Sequence, residues 1–222
     1  MKDLLNNLSI WIIFLPLLIG AVFYLRLGRD SRWIFYTVLA ATIPQVITAF
    51  QVDRGFRNVL YNVYTPLEFI FLFILFLTKF ENIFRRKLYL YTMPVYLVLC
   101  TFYFLRFSIS FKFINELVCV NNLIYVFWLL LFFRDQYSAE DFQLIKQNPF
   151  TWYVFGLIIY APCTMIVFAL YYYIAANPHS LLKGLWMIHN VCNILMYIFF
   201  SVGLLVSVLQ QGSISFITKR YS

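Results

Sequence analysis

Seven apolar stretches, each long enough to cross a bilayer, follow one another with short polar breaks at 8–27, 33–50, 60–77, 88–105, 113–133, 152–175 and 186–209. An apolar helix of about 20 residues matches a hydrocarbon core of about 30 Å. This spacing restricts the chain to membrane folds. With 63% hydrophobic and 12% charged residues, there is too little polar side chain to coat a water-soluble domain of this length. A closed barrel also satisfies its backbone in lipid, but its strands alternate polar and apolar residues. Phe69 to Leu77 and Leu129 to Phe133 are apolar without interruption, which selects helices. The expectation is an all-α polytopic bundle of seven transmembrane helices forming one domain over 1–222. The first stretch follows Lys2 as a secretory signal would, but it is longer than a typical signal core. No small-residue cleavage site precedes Arg26, so a retained span is expected.

The 17 basic residues orient the bundle. On one side lie Lys2, Arg54, Arg57, Arg106, Lys112 and Lys183, which is six; on the other lie Arg26, Arg29, Arg32, Lys79, Arg85, Arg86, Lys87, Arg134, Lys146, Lys219 and Arg220, which is eleven. Basic loops are retained in the cytoplasm, so the amino terminus is expected outside and the carboxyl terminus inside. The net charge of +8 is thus a topology signal. No continuous basic face or soluble recognition module accompanies it, which excludes nucleic acid as a partner. Trp11, Trp33, Tyr89, Trp152, Tyr171, Tyr172, Tyr173 and Trp186 fall near span ends, where amphipathic rings sit at headgroup level. The four cysteines, Cys100, Cys119, Cys163 and Cys192, all lie inside spans without a CxxC pair; they read as small packing residues rather than as a disulfide or metal cluster.

The longest connection, Arg134 to Thr151, is polar and mixed in charge. Ser138 to Gln147 can form a short helix there, with Ser138 as N-cap and Asp141 completing a box, before Pro149. It reads as a solvated loop helix or a docking surface for a cytoplasmic partner. Five spans contain proline, at Pro16, Pro44, Pro66, Pro94 and Pro162; each removes a backbone donor and tends to kink its helix.

The polar residues inside the apolar field mark the candidate site. In the third span Tyr61, Tyr64 or Thr65, and Glu68 share a helical stripe beside Asn62. A carboxylate at the bilayer centre costs roughly 2.5 to 3.5 kcal/mol on insertion scales, so Glu68 must face the bundle interior, find a partner or be protonated. In the fifth span Asn115, Cys119 and Asn122 fall within about 60° of one another, with Glu116 at the edge of that arc and Asn121 pointing elsewhere. The seventh span places Trp186, His189, Asn190, Asn193 and Tyr197 within about 100°, and His189 is positioned to donate to Glu68 or Glu116. The second span offers Thr37, Gln45 and Thr48; the sixth offers Tyr153, Gly156, Tyr160 and Thr164. Several of these hydroxyls also suit local bonding to backbone. The candidate ligand-binding set is therefore Gln45, Tyr61, Asn62, Tyr64, Glu68, Glu116, Asn122, Tyr160, Thr164, His189, Asn190 and Asn193. Applying the orientation above puts these polar groups in the outer half. The inner half is closed by apolar residues such as those of 71–77, 125–133 and 199–206, leaving a pocket open to the outside or to the outer leaflet.

Several functions are excluded by missing residues. A retinal Schiff base needs a buried lysine on the last span, and 187–209 contains none. The acidic-Arg-Tyr and Asn-Pro-x-x-Tyr motifs of G-protein-coupled receptors are also absent, so the likeness to rhodopsins and those receptors is one of topology. One intramembrane histidine is too few for the zinc site of an alkaline ceramidase, and no cofactor or metal is expected. Pro44-Gln45 is similar to the PQ motif of small sugar and amino-acid transporters, without the expected second copy.

The Asn-x-Tyr-x-x-x-Glu pattern of Asn62, Tyr64 and Glu68, together with His189, Asn190 and Asn193, resembles a family of small seven-helix proteins of Bacteroidota with no assigned activity. The resemblance implies a bacterial inner-membrane protein working with a signalling partner. The functional expectation is a membrane sensor that binds a small molecule or lipid in the outer pocket and passes a helix shift to a cytoplasmic protein. A proton-coupled transporter using Glu68 and His189 and a structural or assembly role are the alternatives. An enzyme is disfavoured because no nucleophile or metal constellation accompanies the acid and the histidine.

Overall fold

A computed structural model of the chain describes residues 2–50, 53–77, 79–80, 82–107, 112–136, 147–171, 173 and 180–220. They form helices and no strand: α1 (Lys2–Trp11), α2 (Phe14–Val22), a 3-10 turn (Tyr24–Arg26), α3 (Arg29–Ala49), α4 (Arg54–Phe76), α5 (Ile83–Arg106), α6 (Asn115–Gln136), α7 (Pro149–Ala169) and α8 (Ser180–Arg220). Six segments are long and apolar enough to cross a membrane: Leu4–Val22, Arg54–Phe76, Ile83–Arg106, Asn115–Arg134, Pro149–Ala169 and Gly184–Gln211. The molecule is an all-helical, multi-pass membrane bundle. The second apolar stretch also forms a helix, α3, but that helix is not among the six; Arg29, Asp30 and Arg32 at its start and Thr37, Thr42, Gln45 and Thr48 along it dilute its hydropathy.

Element ends differ from the apolar boundaries because polar capping residues, which an apolar run leaves out, start the helices. Asp53 accepts hydrogen bonds from the Gly55 and Phe56 backbone N–H groups at 2.8 and 3.4 Å, so α4 starts six residues before the expected 60. Asn82 caps α5 through the Phe84 and Arg85 N–H groups at 3.0 and 3.3 Å, and Asn148 caps α7 through Phe150 N–H at 3.0 Å. The last helix exceeds its expected 186–209 at both ends, while α7 stops at Ala169 rather than at 175. The helix expected over 138–147 falls outside the described residues, apart from Gln147.

The first span is not the continuous helix expected over 8–27. Pro16 has no N–H with which to reach the Ile12 carbonyl, and the Leu15 N–H takes that carbonyl instead at 3.0 Å. The ladder changes register there, separating α1 from α2. Gln45 on α3 then donates its side-chain amide to the Ile10 carbonyl at 2.6 Å, supplying a partner to backbone beside the break. The other four intrahelical prolines, at 44, 66, 94 and 162, sit inside helices that continue past them.

Helices α3, α4, α6, α7 and α8 close a ring, with α1 and α2 filling the gap between α8 and α3 and α5 lying outside against α6. The α7–α8 seam is tight because it uses glycine. A Cβ at Gly203 would stand 2.3 Å from the Tyr153 ring, and one at Gly156 would stand 3.1 Å from the Met196 carbonyl and the Phe200 ring. The half of the ring away from the amino terminus is filled. Trp128, fully buried, meets Phe69, Tyr89 and Phe76 at ring separations of 5.1, 5.0 and 5.7 Å, and Phe150 wedges between Phe76 and Phe132 at 5.1 and 5.0 Å. Below this plug, the Tyr153 hydroxyl donates to Ser31 Oγ at 2.7 Å, and Lys79 pairs with Asp30. The outward faces stay apolar, as at Leu105, Val98 and Val22, which suits contact with lipid tails.

Candidate functional site

Above the aromatic plug the ring opens into a cavity of about 540 Å³. Helix α4 supplies one whole wall. Arg54, Arg57, Asn58, Tyr61, Tyr64, Thr65 and Glu68 recur every three or four residues and descend in that order from the rim to the floor. Gln45 lines it from α3, Asn115, Val118 and Asn122 from α6, Tyr160 from α7, and Trp186, His189, Asn193 and Tyr197 from α8. Helix α5 contributes nothing to the lining, in keeping with its place outside the ring.

Eight of the twelve residues expected from sequence thus share this cavity: Gln45, Tyr61, Tyr64, Glu68, Asn122, Tyr160, His189 and Asn193. Four do not line it. Asn62 faces the start of α6, where its amide donates to the Lys112 carbonyl at 2.9 Å and accepts from the Ile114 N–H at 3.0 Å; it is a brace between α4 and α6. Glu116 turns back to Lys112 at 3.3 Å. Asn190 faces α1 and reaches Asn6 at 3.4 Å. Thr164 stands behind the wall, with its Oγ1 3.3 Å from His189 Nδ1. His189 therefore hydrogen-bonds neither Glu68 nor Glu116. Its imidazole is boxed by the rings of Tyr160, Phe168 and Trp186 at 5.6, 5.9 and 5.4 Å.

Glu68 shares the floor with the phenols of Tyr64 on its own helix, Tyr160 on α7 and Tyr197 on α8. The Tyr96 and Tyr125 hydroxyls are buried without a hydrogen-bond partner. Asn122 is 3% exposed; its Nδ2 donates to the Val118 carbonyl at 2.8 Å, and its Oδ1 is buried without a partner. Asn193 donates to Ser9 Oγ at 3.0 Å, tying the cavity wall to α1. Asn121, on the far side of α6, donates to the Thr65 carbonyl at 3.1 Å.

The hydroxyls of Thr37, Thr42 and Thr48 bond carbonyls one turn back, Trp33 at 2.9 Å, Val38 at 2.8 Å and Pro44 at 2.8 Å, and so serve the backbone. The four cysteines are free. Among the described residues no three His, Cys, Asp or Glu side chains converge. The arrangement is suited to holding a ligand by hydrogen bonds and ring contacts.

The rim residues Arg54, Arg57 and Lys112 read from sequence as topology markers, and Asn58 is not among the candidates. A signal was present, since 54, 57, 58, 61, 64, 65 and 68 form one unbroken stripe at helical spacing. The apolar boundary at 60 cut it in two. No protein-family model, curated protein or solved structure matches the chain.

Proposed function

We propose that the protein is a seven-span membrane sensor that binds a small molecule in this cavity and relays occupancy to a cytoplasmic partner. The observation that carries the reading is a closed-ended cavity: polar and aromatic at one end of the bundle, sealed by packed rings at the other. A cavity of this volume lies in the usual range for small-molecule sites, about 300 to 1,000 Å³.

In this reading α3 is the seventh span. Its 21 residues extend about 31 Å at 1.5 Å per residue, and Leu39, Ile43 and Val46 present an exposed apolar face. The basic-residue asymmetry supports an amino terminus and cavity mouth outside and a carboxyl terminus in the cytoplasm, and the family resemblance supports a bacterial inner membrane. Helix α8 is the output element. It carries Trp186, His189, Asn193 and Tyr197 on the cavity wall and runs without a break to Arg220, 41 residues or about 61 Å, twice the hydrocarbon thickness. A ligand that favours one packing of α8 over another biases its far end.

The transporter reading draws on the split between α1 and α2 beside Gln45, a place where the wall can rearrange. Reconstitution separates the two. Compounds that stabilise the purified protein in a thermal-shift screen are assayed for uptake into proteoliposomes, alongside the Glu68→Gln and His189→Ala variants. Saturable binding that these variants weaken, with no flux, supports the sensor. Protein-dependent flux of the bound compound overturns it in favour of transport.

A further inference from the structure

Charge and hydrogen-bonding capacity are divided by depth in the cavity, and that division describes a ligand. At the rim, Arg54 and Arg57 line the opening, are exposed and make no ion pair among the described residues. The neighbouring acids are occupied: Asp53 caps α4 through Gly55 and Phe56, and Glu116 pairs with Lys112 and lies off the lining. At the floor Glu68 presents a carboxyl among the phenols of Tyr64, Tyr160 and Tyr197. Between the two ends stand rings, among them Tyr61, Tyr160 and Trp186.

We propose that this pocket takes a ring-bearing organic anion: its phosphate or carboxylate is met by Arg54 and Arg57, its ring lies between the aromatic walls, and a hydroxyl, amide or amine donor at its far end reaches Glu68. This rests on the binding reading above and names the ligand class for it. Arginine suits either anion through its planar fork. A ligand donor at the floor gives the Glu68 carboxyl a partner that an apolar ligand cannot. Length sharpens the class. Arg57 and Glu68 are eleven residues apart on one helix, about 16 Å along its axis, so a bridging ligand measures on the order of 10 Å once the arginine side chain reaches inward. Inorganic phosphate is too short. An acyl chain entering tail first would set methylenes against the Glu68 carboxyl.

The test replaces the four native cysteines and introduces Val118→Cys on the cavity wall. Its reaction with the anionic reagent 2-sulfonatoethyl methanethiosulfonate is compared with that of the cationic 2-(trimethylammonium)ethyl reagent, each rate normalised to free cysteine. The expected preference for the anion is roughly tenfold, and it falls toward unity in Arg54→Gln/Arg57→Gln. In a second arm, 4′-hydroxybiphenyl-4-carboxylate slows the labelling, while its methyl ester, lacking the anion, and its 4′-methoxy analogue, lacking the donor, do not. A third arm repeats the labelling in vesicles of phosphatidylglycerol and of phosphatidylcholine. Protection by the soluble acid supports a free solute; protection by phosphatidylglycerol alone keeps the anion and assigns it to a lipid headgroup. Equal normalised rates for the two reagents, or equal protection by all three biphenyls, overturn the ligand class and leave a binding cavity in place. No reaction with either reagent, while the exposed control Gly184→Cys reacts, overturns the binding reading itself.

Discussion

Thr164 Oγ1 and His189 Nδ1 face each other across the α7–α8 seam at 3.3 Å, so one imidazole nitrogen is held by the wall behind the cavity. The ring is thereby oriented, and its remaining nitrogen is the one left for a ligand. Thr164→Val should cost about 0.6 kcal/mol, the average for a hydrogen bond between membrane helices. Nitrogen NMR of histidine-labelled protein in micelles should show the Nδ1 resonance of His189 shift, with His179 as the internal control. An unchanged His189 spectrum would mean that the contact does not hold the ring.

Glu68 separates a ligand site from a structural node. Glu68→Gln keeps a hydrogen-bonding side chain at the floor, so folding should survive. Binding of a donor-bearing ligand should weaken about fivefold, since bonds to charged groups are worth roughly 1 kcal/mol more than neutral ones. Titration of 4′-hydroxybiphenyl-4-carboxylate into the purified variant reads the loss. A lower melting temperature with unchanged affinity would make Glu68 interhelical glue.

Gly203 and Gly184 form a matched pair on α8. A methyl group at Gly203 meets the Tyr153 ring at 2.3 Å and the Pro149 carbonyl at 3.0 Å, whereas at Gly184 nothing lies within 4 Å. Gly203→Ala should destabilise by about 1 to 3 kcal/mol through overpacking; Gly184→Ala should not. Thermal unfolding of the two variants in the same detergent checks the contrast, and equal melting temperatures would place the seam elsewhere.

Pro16→Ala restores the N–H missing at the break in the first span. The Ile12 carbonyl can then accept an ordinary helical bond, and α1 should join α2. Amide exchange at residues 12–16 should slow in the variant. Unchanged exchange would show that Gln45, rather than Pro16, maintains the break.

Much of this architecture was legible beforehand because the bilayer imposes it. Uninterrupted runs such as Phe69 to Leu77 had to be helical, since lipid offers no partner for backbone groups. Glu68, Asn122, His189 and Asn193 had to turn inward, since exposing them to lipid is costly. Periodicity therefore located one stripe on each of several helices and placed them at one end of the bundle.

It did not say which helix each residue meets. Asn62 and Asn122 read alike, yet one braces the start of α6 from α4 while the other stands on the cavity wall and bonds back to its own helix at Val118. Asn190 and Asn193 share an arc on α8 and both hydrogen-bond α1, at Asn6 and Ser9, but only Asn193 also lines the cavity. Arg54 and Arg57 read only as topology markers until the folded ring set them at the mouth. Burial is a property of a residue and its solvent, which the chain encodes locally; partnership depends on the rotation and neighbours of each helix, which packing residues such as Gly156 and Gly203 settle only after the helices meet.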